Sequence, residues 1–251
     1  MPLEACRILV TRPTQQSHHL MQLIKEKGGY PVHFPVIEIE DLSADNLALQ
    51  QLQQQLPHYQ KLLFVSANAV LYSLPWLLKY SALPQQLQLV VVGKTTEKTV
   101  HQYLDTAVIC PPRFNSESLL DLTEFDPQTI NKKRIAIIKG VGGRHLLTNT
   151  LRQRGALVDE IKVYRRCLPA NPPVVKIPPQ CIVITSGEGL HNLFKLLPDS
   201  PWLAQTPMVL ISARLEQTAR DLGVVAPLFV APQACDAGLL TALLTWRESH
   251  A

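Results

Sequence analysis

Any chemistry in this chain has to come from short loops rich in hydroxyls, amides, glycines and arginines. Seven of them share one context: TRPTQQ (11–16), SANAV (66–70), GKTTEK (93–98), PPRFNSES (111–118), KGVGGRH (139–145), TSGEG (185–189) and SARLEQ (212–217). Each joins an apolar run to a helical pattern. In an open parallel sheet that is where strand ends meet helix N-termini, and the free backbone N–H groups there attract anions. Plain N-capping is the better account of any single member, such as Ser66, Ser116 or Ser186. Together the loops point to an anionic ligand. Residues Lys139 to Arg144 read as a flexible loop bearing cations over a helix N-terminus, suited to a carboxylate.

Other chemistries fail on spacing. Gly93-Lys94-Thr95 looks like the end of a P-loop, but the first glycine of GxxxxGK[ST] would fall at Gln88, inside an apolar run. Gly140-Val141-Gly142-Gly143 begins a dinucleotide fingerprint whose last position falls at His145. There is no GxSxG or HExxH segment. The 5 cysteines are scattered, and His18, His19 and His58 lack ligand spacing. No metal and no cofactor are expected.

The elements that must position these loops alternate between β-branched runs and amphipathic segments, the signature of parallel βαβ units. Strands are predicted at 7–10, 31–34, 62–65, 89–92, 107–109, 134–138, 157–163, 181–184, 208–211 and 228–230. About ten strands exceed the roughly five or six of one typical sheet, so two α/β domains are expected. FPVIEIE (34–40) and EIKVYRR (160–166) alternate polar and apolar residues as paired linker strands would, and proline-rich LPANPPVVKIPPQ follows the second. The expected layout is a discontinuous first domain (1–35 and 168–251), a second domain (41–159) and linker strands at 36–40 and 160–167. KEKGGYPVHF and RQRGALVDEI each place a glycine at a helix C-terminus, where the left-handed conformation is needed.

With 46% apolar and 18% charged residues the 251-residue chain can bury a substantial core. A net charge of +4 is too mild to argue for nucleic acid, and no apolar run is long enough for a bilayer. MPLEACRILVTRP has no secretory pattern, so a cytoplasmic location is expected.

Read in order, the loops resemble those of the uroporphyrinogen-III synthases along essentially the whole chain. LFVSANAV resembles the family's FTSxNAV segment, VVGKTTEKTV its VGxxTxxxL segment, and PPRFNSESLL its proline-rich loop. The stretch from Gly140 to Arg166 follows GxGGRxxLxxxLxxxGxxVxxxxVYxR. The resemblance implies two flavodoxin-like parallel-sheet domains joined by a two-stranded linker, with the ligand in the cleft. It implies a cofactor-free reaction: hydroxymethylbilane loses water and closes through a spiro intermediate with inversion of ring D. Tyr164 matches the family tyrosine proposed to help the hydroxyl depart. Arg12, Ser66, Asn68, Thr96, Ser116, Gly142, Arg144, Ser186, Gly187 and Arg214 are the implied donors to the substrate's carboxylate arms. The chain departs from the family's Ile-Gly-x-x-Thr at Ile211 to Leu215, where Arg214 could bind a carboxylate in place of the threonine. A monomer is the default, with room for a transient contact with the preceding pathway enzyme. The rival reading is a two-lobed binding or sensor protein without catalysis.

Overall fold

A computed structural model of the chain describes residues 2–249. From the N-terminus it runs through β1 (Arg7–Val10), α1 (Thr14–Glu26), β2 (Tyr30–His33), β3 (Glu38–Asp41) and α2 (Leu47–Gln55). Next come β4 (Lys61–Phe64), α3 (Ala67–Leu71), α4 (Leu74–Tyr80), β5 (Gln88–Val91), α5 (Lys94–Val100), β6 (Val108–Ile109), α6 (Ser116–Leu120) and α7 (Pro127–Ile130). Then follow β7 (Arg134–Gly140), α8 (Leu146–Gln153), β8 (Leu157–Cys167), β9 (Cys181–Ile184) and α9 (Gly187–Leu196). The last elements are β10 (Met208–Leu210), α10 (Arg214–Asp221), β11 (Leu228–Val230) and α11 (Asp236–Glu248). The chain divides into two units, one holding residues up to Glu38 and from Cys167 onward, the other Ile39–Arg166.

Unit 1 carries a parallel sheet in the order β11-β10-β9-β1-β2. Counted along its own chain this is 2-1-3-4-5, the flavodoxin arrangement. Unit 2 carries the order β3-β8-β7-β4-β5-β6. Its five parallel strands read 3-2-1-4-5, which becomes 2-1-3-4-5 if the count begins at β7. The second sheet is therefore the same arrangement entered at a different strand. In both sheets the chain reverses its winding at one place, between β1 and β9 in unit 1 and between β4 and β7 in unit 2.

Burial explains why these runs are strands. Every residue of β4 and of β9 is buried, as expected for a strand covered on both faces. In unit 2, Leu62, Phe64, Ala136 and Ile138 face one core with Leu49, Val70 and Leu77, while Leu63, Ile135 and Ile137 face a second with Phe125, Leu147 and Leu151. In unit 1, Ile8, Val10, Val183 and Val209 pack on Leu20, Ile24, Leu243 and Trp246. Truncating a side chain such as Leu63 to alanine would cost about 2–5 kcal/mol. Gly28 (φ +85°) and Gly155 (φ +88°) take the left-handed conformation after α1 and α8, where only glycine is free of strain.

The linker segments are built into the second sheet. β8 continues its pairing with β7 as far as Tyr164, while β3 lies along its other edge. The Glu38 carbonyl accepts from the Cys167 thiol, Glu40 pairs with Arg165, and Leu42 N–H donates to the Val163 carbonyl, so β3 and β8 run antiparallel. Three further features have local causes. The segments α3 and α4 are helical although short, α4 starting with Pro75 in its first turn, where the missing N–H costs nothing. α11 forms over a stretch with no strong pattern because Leu239, Leu243 and Trp246 are buried at helical spacing. β7 extends through Lys139 and Gly140, so the expected flexible loop is shorter by two residues.

Candidate functional site

A cavity of about 250 Å³ opens at the carboxyl ends of β4 and β7, the place where the winding of the second sheet reverses. Ligands of open α/β sheets bind at such points because the two flanking loops diverge there. Val65 and Ser66 come from the end of β4, Lys139 to Arg144 from β7 and its loop, and Tyr164 from β8.

Tyr164 is 5% exposed, and its hydroxyl lies 3.0 Å from Ser66 Oγ. The ring is tilted against Tyr72 at 6.2 Å. Its main chain is fixed as well, because Val141 N–H donates to the Tyr164 carbonyl and the β7–β8 register is bulged between Lys139 and Gly140. Ser66 also accepts from Ala69 N–H, capping α3 while touching the phenol. This serine therefore caps a helix and lines the cavity at once.

Of the residues singled out in the sequence, Ser66, Ser116, Gly142, Arg144 and Tyr164 line this one cavity. Gly142 and Gly143 both adopt positive φ (+78° and +80°). Exposed Arg144 pairs with Glu117 at 3.2 Å. Ser116 is not a helix cap: Asn115 takes that place by accepting from Ser118 N–H. Asn68 and Thr96 are buried within α3 and α5 and lie outside the cavity wall, because the turns that carry them pack their side chains inward.

Arg12, Ser186, Gly187 and Arg214 belong to unit 1. Ser186 accepts from Gly189 N–H and caps α9, with Gly187 as the first helical residue. Arg214 is exposed at the start of α10. Arg12 is already neutralised, since its Nη1 donates to Asp236 Oδ1 in the first turn of α11. His19 Nδ1 lies 2.7 Å from the other oxygen of the same carboxylate.

Lys139, anticipated only as a loop cation, meets two residues not singled out in the sequence, Glu160 and Thr148. Lys139 is 5% exposed and pairs with Glu160 at 3.2 Å, and the Thr148 hydroxyl donates to the same Glu160 oxygen. Burial pushes the Glu160 carboxyl up, but the hydrogen bonds from Thr148 and Lys139 and the nearby charges of Lys139 and His145 outweigh it and hold it below the ordinary value. The sequence signal for Lys139 is its place two residues after Ile137 and four after Ile135, on the same inward face. Among the described residues, no three His, Cys, Asp or Glu side chains gather as a metal site.

Comparisons with known proteins point to one family. The family model described as "Uroporphyrinogen-III synthase HemD" matches residues 18–240. The uroporphyrinogen-III synthase of Escherichia coli (strain K12) is 33% identical over 233 residues, covering 86% of this chain and 91% of that protein. The uroporphyrinogen-III synthase of Proteus mirabilis is 37% identical over 166 residues, 63% of this chain and 79% of the relative. Among solved structures, uroporphyrinogen-III synthetase from Helicobacter pylori 26695 superposes with a TM-score of 0.60 at 14% identity, covering 96% of this chain and 99% of that one. A mutant uroporphyrinogen III synthase from the extremely thermophilic bacterium Thermus thermophilus gives 0.56 at 17% identity, covering 98% and 100%. These two structures support the two-domain α/β fold. The chain belongs to the uroporphyrinogen-III synthase family.

Proposed function

We propose that this protein converts hydroxymethylbilane to uroporphyrinogen III, acting as a cyclising hydro-lyase without a cofactor. The observation that carries the reading is the Tyr164 hydroxyl, held 3.0 Å from Ser66 at the winding reversal of the sheet, in a member of this family. The reading as a binding or sensor protein is not favoured by that membership.

The substrate's own pyrrole nitrogen supplies the electron pair that expels the hydroxyl, so the protein has three tasks: to fold the chain, to orient ring D and to assist the leaving group. Tyr164 gives its proton to the departing hydroxyl, which leaves as water. The phenolate recovers a proton when the ring D carbon that makes the last bond, after the spiro intermediate reopens, loses its hydrogen. Ser66 Oγ fixes the phenol's direction before and after that exchange. Ser116, the backbone at Gly142 and Arg144 offer donors to carboxylate arms in the same cavity. Ser186, Gly187 and Arg214 offer similar donors at the end of the first sheet, and Arg12 takes part by exchanging Asp236 for a substrate carboxylate.

The protein is taken to act as a monomer in the cytoplasm, receiving its substrate in transient contact with the enzyme that makes it. Among the described residues no helix is long and apolar enough to cross a membrane. Freshly made hydroxymethylbilane tests the reading: the type III isomer is expected, and formation of the type I isomer alone, the uncatalysed product, would overturn it.

A further inference from the structure

Lys139 is a buried cation whose surroundings leave it incompletely used. β7 alternates faces, so Ile135, Ile137 and Lys139 point to the same side, and the first two pack in the core with Leu147 and Leu151. A third apolar residue would complete that packing at no electrostatic cost, and a buried ion pair is seldom more stabilising than apolar residues of similar volume. Instead an ammonium stands there, with its side chain 7% exposed.

An ammonium carries three N–H donors. Glu160 Oε1 takes one of them at 3.2 Å, and no second acceptor approaches among the described residues. Lys139 lines the same cavity as Tyr164. That cavity wall also carries Arg144 and Arg166 and contains no carboxylate, since Glu160 reaches the ammonium without itself forming part of the wall. Thr148, which donates to the same Glu160 oxygen, fixes the carboxylate in place.

We propose that Lys139 binds a carboxylate arm, acetate or propionate, of the linear tetrapyrrole through its two remaining N–H donors, with Glu160 and Thr148 as the positioning residues that hold the ammonium toward the cavity. The inference rests on the synthase reading above and deepens it by naming a substrate contact.

The test compares wild type, Lys139→Met, Glu160→Gln and the double variant Lys139→Met/Glu160→Gln, all as the full chain, by initial rates on hydroxymethylbilane and isomer analysis. Wild type is read first: exclusive type I product there overturns the synthase reading itself, whatever the variants do. With type III formed by wild type, loss of Lys139 is expected to raise KM at least about tenfold, the low end for hydrogen bonds to a charged group, with kcat changed far less. Glu160→Gln releases the ammonium from its counter-charge and is expected to lower KM. Lys139→Met alone leaves Glu160 buried and unpaired and risks unfolding, so the double variant, in which both groups are neutral, decides. A raised KM in the double variant supports the proposal. A wild-type KM in the double variant, the behaviour of an ion pair that is only structural, overturns it.

Discussion

Gly140 lies so close beneath the Tyr164 ring that a Cβ at that position would stand 2.6 Å from Cζ and 2.7 Å from Cε2. Real side chains do not approach so near, so the phenol keeps its place only while residue 140 is glycine. Gly140→Ala is expected to push the ring away from Ser66, to cut turnover at least about tenfold and to cost roughly 1–3 kcal/mol of stability. Initial rates and urea unfolding measure the two effects. Unchanged turnover would detach the ring's position from catalysis.

Tyr164→Phe keeps the ring and removes the proton donor. A loss in kcat on the order of a hundredfold is expected, with the unfolding midpoint little changed. Full activity in this variant would end the catalytic role of Tyr164 and leave the family assignment standing.

Ser66 has two partners, so its replacement should show two effects. Ser66→Ala is expected to lower kcat and also to cost about 1 kcal/mol through the lost cap on α3. Ser66→Thr retains a hydroxyl for both partners and should recover stability and rate together, as thermal unfolding and rate assays on the two variants would show.

The fold is legible in the sequence wherever its cause is local. Cys181–Ile184 and Leu228–Val230 stand as strands on composition alone, and the glycines after α1 and α8 mark their helix ends. The permuted strand order of unit 2 is not legible, because it depends on β4 pairing with both β5 and β7, a choice no local pattern encodes. At the site, Tyr164 and Ser66 emerge through the family resemblance, whereas Lys139 reads as a surface loop cation until the strand is seen to continue through it. The neutralisation of Arg12 by Asp236, 224 positions away, belongs to tertiary structure only.

That Arg12–Asp236 pair can be measured. Both side chains are about one-fifth exposed, and Asp236 sits in the first turn of α11, where a carboxylate is favourable. Asp236→Ala should cost roughly 1–3 kcal/mol. Adding Arg12→Ala should cost less than the sum of the two single changes, as a double-mutant cycle in urea would reveal. Strict additivity would mean that the pair contributes no coupling.

Glu160 gives a pH signature. Its carboxyl is held below the ordinary value of 4.5 in the folded protein, so its stabilisation is complete above that value. It is then lost as pH falls through the lower folded-state value. Wild type should therefore lose stability more steeply than Glu160→Gln as pH falls below about 5, the difference shrinking at the acid end of the titration. Parallel curves across that range would show that the carboxylate gains nothing on folding.

The split ownership of the first unit sets an order of events on the ribosome. Thr11 donates to the Val183 carbonyl across 172 positions of chain, and β1 cannot pair with β9 until that later strand has been synthesised. All of Ile39–Arg166 leaves the ribosome before then, so the second unit can close its own sheet while β1, α1 and β2 still wait without the rest of their sheet. The N-terminal segment is thus the part of the nascent chain most in need of protection from aggregation, and slow translation past residue 166 would prolong that exposure.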